Sequence, residues 1–126
     1  MRDHKNLPAN LISTSLLAVG LTLVLTHQAL VACAGVTLGA VATAMGITVK
    51  SGRIWAEGEI DFRGTLGVAC VAKDVQVGFR GLHLYFDVST DAEPKTHMRL
   101  LELTERYCVV YQTLKQPPPI QSSSGA

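Results

Sequence analysis

Three cysteines, Cys33, Cys70 and Cys108, are the side chains of this 126-residue chain best suited to covalent chemistry. A thiolate can attack an electrophile, bind a soft metal, close a disulfide or carry a lipid. No CxxC motif joins any two of them, and an odd number argues against the disulfide framework of a small secreted domain. His4, His27, His83 and His97 are scattered, with none at ligand spacing from another His or a Cys, so no metal site is expected. There is no Gly-rich phosphate loop and no Gly-x-Ser-x-Gly elbow, and nothing in the residues asks for a cofactor.

Cys33 stands at the end of LVAC, Leu30 to Cys33, inside a run from Asn6 to Val49 that has no Asp, Glu, Lys or Arg. Three chemistries suit a cysteine there. A positive start, an apolar stretch and LVAC resemble the lipid-attachment signal of an exported lipoprotein. Against this, His27 and Gln28 interrupt the stretch, and 32 residues precede Cys33, where signal sequences have roughly 15–30. A polar tether would also follow a lipidated cysteine, whereas AGVTLGAVATAMGI continues apolar. Alternatively, residues 9–26 and 29–49 could supply two short membrane spans, each near the length of about 20 apolar residues that a bilayer requires. The third chemistry is a redox nucleophile at the head of a buried helix of a soluble protein, where the helix dipole would favour its thiolate.

The elements that must position these thiols follow from periodicity. Residues 1–10 are polar and end in a Pro/Asn loop signal. Residues 11–47 read as two helices or one long bent helix, with small residues at Ala32, Gly35, Gly39, Ala42 and Gly46 that allow close approach of another backbone. Gly46 is placed to end the helix. Residues 54–61 alternate as a strand, with Ile54, Ala56, Gly58 and Ile60 opposite Trp55, Glu57, Glu59 and Asp61. A glycine-punctuated stretch follows. Then Leu82, Leu84, Phe86 and Val88 alternate with His83, Tyr85 and Asp87, the clearest strand in the chain. TDAEP opens a helix with Pro94 in its first turn, and Met98, Leu101, Glu105 and Cys108 recur at three-four spacing. Glu102 and Glu105 are expected on its solvated side. A further helical piece, CVVYQTLK, stops at Pro117-Pro118-Pro119, and residues 120–126 read as a disordered tail. Helix, strands and helix in that order make a single α+β domain over 1–126, with 48–119 holding strands and C-terminal helices.

Hydrophobic residues make up 48% and charged residues 17%, enough apolar material for one modest core. The net charge is +1 with no basic stripe, so nucleic-acid binding, which depends on neutralising phosphates, is not expected.

The stretches EGEIDFRGTLGV (57–68), VGFRGLHLYFDVSTDAE (77–93) and LLELTERYCVVYQTL (100–114) resemble the OsmC/Ohr superfamily of thiol-dependent hydroperoxide reductases. LVACAGVTLGAVATAMGITV (30–49) resembles that family's central helix, where an Ala-Cys opens a long buried segment. The resemblance extends over roughly residues 29–119. It implies an intertwined, cytoplasmic α+β homodimer, with long central helices packed against antiparallel β-sheet and active sites near the subunit interface. It also implies that Cys33 is the nucleophile towards an organic hydroperoxide and that Cys108 is the resolving thiol. The disulfide would then be reset by an external dithiol. Cys70, in VACVAKD, falls where the family runs more directly to its next strand, and is read as incidental. Trp55, Tyr85 and Phe86 are read as core or interface residues.

The N-terminal part departs from the family pattern. The family has a β-meander before the central helix, carrying an arginine that steadies the thiolate, and a carboxylate on the approach to the cysteine that orients the arginine. Here the meander is reduced or replaced by helix, Arg2 is the only arginine before Cys33, and GLTLVLTHQALVA has no Asp or Glu. A free cysteine with a pKa near 8.5 is only about 3% thiolate at pH 7. Arg53, Arg80, Arg99 or Arg106, from this subunit or its partner, are the candidates to replace the lost charge. Without a replacement, the expectation is an OsmC-like fold with impaired catalysis, acting as a dimeric structural or binding protein.

Overall fold

The structure, a computed structural model, describes residues 9–65 and 75–125, with residues 9–19 and Thr65 described by backbone alone. Cys70 and Arg2 lie outside the described residues. The elements run α1 (Ala9–Met45), β1 (Val49–Ile60), α2 (Phe62–Thr65), β2 (Phe79–Thr90), α3 (Pro94–Tyr107) and α4 (Val109–Lys115). The two strands pair antiparallel, and the architecture is α+β, with helices packed on the sheet. Contacts group the chain into two units. One holds Met1–Gln28 and Ala56–Leu84; the other holds Ala29–Trp55 and Tyr85–Ala126. α1, β1 and β2 each run through both.

Of the two readings of residues 11–47, a single helix is the one found. His27 does not break α1, because its Nδ1 makes a 2.9 Å bond to the Leu23 carbonyl one turn earlier and its ring packs edge-on against Phe79, 4.9 Å between centroids. A ring that hydrogen-bonds within the helix can sit in an apolar run without an unsatisfied polar atom.

Phe79 and His27 also explain Gly58 in the same unit. A β-carbon at Gly58 would fall inside van der Waals distance of the Phe79 ring and 2.6 Å from His27 Nε2. Gly58→Ala is therefore expected to cost about 1–3 kcal/mol through overpacking, read as a lowered melting temperature. An unchanged melting temperature would show that this contact does not hold the strand.

In the second unit the helix end follows directly from sequence. Gly46 takes φ 68°, the left-handed region. Its N–H donates to the Thr43 carbonyl at 3.1 Å, and the Ile47 N–H donates to the Ala42 carbonyl at 2.9 Å. This paired pattern satisfies two carbonyls at the helix end. β1 is then fastened at its start: the Thr48 N–H donates to Asp91 Oδ1 at 2.9 Å, and the Asp91 N–H donates to the Thr48 carbonyl at 3.2 Å.

The core of this unit is Leu38, Ala42 and Leu100, with Val41, Met45, Ile47, Ile54, Val88 and Leu101 packed against it. Among the described side chains of α1 the buried positions are Leu30, Ala34, Leu38 and Ala42, a four-residue repeat that keeps one stripe turned inward. The α3 face differs from the expected set. Met98 is exposed, and the fully buried positions are Leu100, Thr104 and Cys108. Hydrophobicity conceals this face because Thr104 is polar, but its hydroxyl donates to the Leu100 carbonyl at 2.8 Å and so needs no water. Trp55 and Tyr85 stack on one another with centroids 5.0 Å apart, which gives the strand face expected to be wet an aromatic pair of its own.

Candidate active site

Two of the three predicted chemistry-bearing residues meet. The side chains of Cys33, from α1, and Cys108, from the α3–α4 junction, interact through their sulfurs, and both are free thiols. Both lie in the second unit. Cys33 is half-buried and Cys108 is fully buried.

The junction positions Cys108. Its backbone is extended, φ −71° and ψ 108°, so it ends α3 and begins α4 in one residue. The Cys108 N–H still donates to the Thr104 carbonyl at 2.9 Å, and the Gln112 N–H donates to the Cys108 carbonyl at 3.0 Å. The break leaves the Glu105 carbonyl without its helical partner, and the Gln112 side-chain amide donates to it at 2.9 Å. No side-chain cap closes the first turn of α4, but the Tyr111 and Val110 N–H groups both act on the Cys108 sulfur.

The surroundings drive the two thiols apart. Hydrogen bonding from the Val110 N–H lowers the Cys33 pKa below its ordinary value. Cys108, the Thr37 hydroxyl and the Val109 N–H assist, and partial burial opposes them. Burial pushes the Cys108 thiol up, and its neighbour Cys33 adds to the rise. The more accessible sulfur is thus the one more readily ionised.

One expectation is corrected here. A helix start was to favour the Cys33 thiolate, but Cys33 lies well inside α1, where no free N–H groups remain. The amides that reach it belong to the first turn of α4. Within one chain, none of the four candidate arginines is among the main influences on Cys33. Arg53 sits over the Trp55 ring at 5.2 Å, and Arg106 lies over Tyr107 at 5.9 Å. Arg80 approaches Glu59 at 3.7 Å, and Arg99 pairs with Glu102 at 3.0 Å. The strongest influences on Cys33 are all uncharged.

Sequence reasoning missed Thr37, Val109 and Val110. The signal for Thr37 is its place one helical turn after Cys33. For the valines it is a helix that begins directly after a cysteine. Glu105 is also not simply solvated: it is half-buried and bonds to the Tyr111 phenol, which burial and this carboxylate together push up. An open groove of about 440 Å³, lined by Met45, Lys95, Thr96, Met98, Arg99 and Glu102, contains neither thiol. Among the described residues no group of three or more His, Cys, Asp and Glu side chains could hold a metal ion.

A family model described as OsmC-like protein matches residues 23–123. The chain belongs to the OsmC-like family. Within that family, a crystal structure of an OsmC-like protein from Mycoplasma pneumoniae is similar in fold, with a TM-score of 0.59 at 18% identity, covering 70% of this chain. The chain spans 57% of the length of that structure. No curated protein matches it. The OsmC-like match begins ten residues before Cys33 and runs beyond α4, so both thiols and every group acting on them fall within it.

Proposed function

We propose that this OsmC-like chain is a cytoplasmic, homodimeric thiol peroxidase that reduces organic hydroperoxides to alcohols. Cys33 is the nucleophile and Cys108 the resolving thiol. The observation that carries the reading is the meeting of these two sulfurs, distant in sequence, with the accessible one shifted towards thiolate and the buried one away from it.

The Cys33 thiolate attacks the terminal oxygen of R–O–O–H. An S–O bond forms, the O–O bond breaks, and the alkoxide leaves and takes up a proton to become ROH. Cys33 is now a sulfenic acid. The Cys108 sulfur attacks it, an S–S bond forms, and the hydroxyl departs as water with the thiol proton. A small-molecule or protein dithiol returns both cysteines to thiols and is itself oxidised. Proximity of the second thiol protects the sulfenic acid from further oxidation. Leu21, Val24, Leu25 and Val36 are exposed apolar residues on α1, which supports a covered helix and hence a dimer.

A second reading has its own support. Because no charged side chain ranks among the influences on Cys33, the chain could be an OsmC-like dimer with impaired turnover. A third is membrane attachment, since Gly20–Met45 is long and apolar enough to cross a bilayer by length and composition.

One experiment separates these readings: the intact mass of the natively expressed protein before and after one equivalent of an organic hydroperoxide, with peptide mapping. The expected result is a soluble full-length chain that loses two hydrogens and yields a Cys33–Cys108 crosslink. Untouched thiols would reject the peroxidase reading. A chain beginning at Cys33 with added lipid mass would establish lipid attachment.

A further inference from the structure

Nothing in the residues around Cys108 breaks a helix by itself. Residues 106–112, RYCVVYQ, contain neither proline nor glycine, yet α3 stops and α4 starts at Cys108, whose backbone is extended at φ −71° and ψ 108°. A helix that breaks without proline or glycine needs a group that takes over a carbonyl left without its partner. Gln112 is that group. Its main-chain N–H donates to the Cys108 carbonyl at 3.0 Å, and its side-chain amide donates to the Glu105 carbonyl at 2.9 Å. The main chain of Gln112 thus holds the residue at the break, while its side chain reaches back across the break to α3. In an uninterrupted helix the Glu105 carbonyl would accept the Val109 N–H instead. The side-chain bond therefore favours the broken form over the continuous one. Gln112 and Glu105 are both half-buried, and Cys108 between them has 0% of its surface exposed.

We propose that Gln112 is a positioning residue for Cys108: its side-chain bond to the Glu105 carbonyl holds the α3–α4 break at Cys108 and keeps this buried thiol seated for disulfide closure. This rests on the reading of Cys108 as the resolving thiol. A carboxamide suits the place because it is neutral, long enough to span the break, and carries donors for a carbonyl.

The test is the rate of Cys108 alkylation in the folded full-length protein, read by peptide mass so that the three thiols are distinguished. Gln112→Met puts a methyl group where the amide nitrogen was and removes the donor. Gln112→Arg keeps an N–H at the same number of bonds from the backbone. Both keep the main-chain N–H. Loss of one hydrogen bond favours opening of the junction by about fivefold, so Cys108 in Gln112→Met should be alkylated about five times faster. Gln112→Arg should return to the wild-type rate. With one equivalent of an organic hydroperoxide, oxidation of Cys33 in Gln112→Met should keep its wild-type rate while closure of the disulfide slows by about the same factor. In the wild type itself, the side-chain amide protons of Gln112 should exchange with solvent more slowly than those of exposed Gln116 and Gln121. Equal exchange at the three glutamines, an unchanged Cys108 rate in Gln112→Met, or a Gln112→Arg rate that stays with Gln112→Met overturns the proposal. So does faster alkylation of Cys33 and Cys108 alike, which marks general loosening. If the wild type consumes no hydroperoxide while Cys108 alone is unmasked in Gln112→Met and masked again in Gln112→Arg, the peroxidase reading fails and the positioning of Cys108 by Gln112 stands. If the wild type turns over and Gln112→Met closes its disulfide as fast, only the role of Gln112 fails.

Discussion

Cys33→Ser should abolish dithiol-dependent consumption of an organic hydroperoxide, with a fall of at least about a thousandfold, as expected for removal of a nucleophile. An alcohol cannot ionise near neutral pH, and the donors that act on the sulfur cannot make one do so. Cys108→Ser should give a different result. The first peroxide is still reduced, because Cys33 keeps the Val110 and Val109 amides and Thr37. The sulfenic acid then has no neighbour to condense with, and it accumulates or goes on to sulfinic acid. Stopped-flow peroxide loss together with intact mass reads both variants. Undiminished turnover in Cys33→Ser would eliminate Cys33 as the nucleophile, and a crosslink formed in Cys108→Ser would pass its role to another thiol.

The second large effect concerns stability. Leu100→Ala should destabilise the protein by about 2–5 kcal/mol, the range for truncating a fully buried aliphatic side chain. Leu100 has 0% of its surface exposed and packs with Leu38 and Ala42, so few groups can relax into the space it leaves. In urea the midpoint should fall while the slope stays constant. The same variant bears on the site. Leu100 supplies the carbonyl that holds the Thr104 hydroxyl, and Thr104 in turn accepts the Cys108 N–H. Both bonds use Leu100 and Thr104 backbone groups that the variant keeps, so Cys33–Cys108 crosslinking should survive wherever the protein remains folded. A midpoint within experimental error of wild type would show that the α1–α3 contact does not carry the core.

Much of the scaffold is written locally. Gly46 ends α1 because glycine accepts a positive φ, Pro94 lies in the first turn of α3, and the alternation from Leu82 to Val88 makes β2 a strand. The order of these elements, with Ala-Cys on one helix and Cys108 on another, was enough to point to the OsmC-like family and to the two thiols. What the sequence left open was how many helices precede β1. His27 looked like a break, and only its bond to the Leu23 carbonyl and its contact with Phe79 show why it is not.

The chemistry of the site could not be read the same way. Whether a cysteine ionises depends on which donors reach its sulfur, and those donors come from residues that carry no motif. The Val110 and Val109 amides belong to the backbone of an apolar stretch, and they act on Cys33 only because the extended backbone at Cys108 starts a new helix there. Sequence determined the secondary elements, since periodicity, glycine and proline positions act over a few residues, and its resemblance to the OsmC/Ohr superfamily pointed to the fold family and to Cys33 and Cys108. Tertiary structure alone decided which thiol is exposed, which is shifted towards thiolate, and that uncharged donors stand nearest to it, because burial and hydrogen bonding between α1 and the α3–α4 junction exist only once the chain has folded.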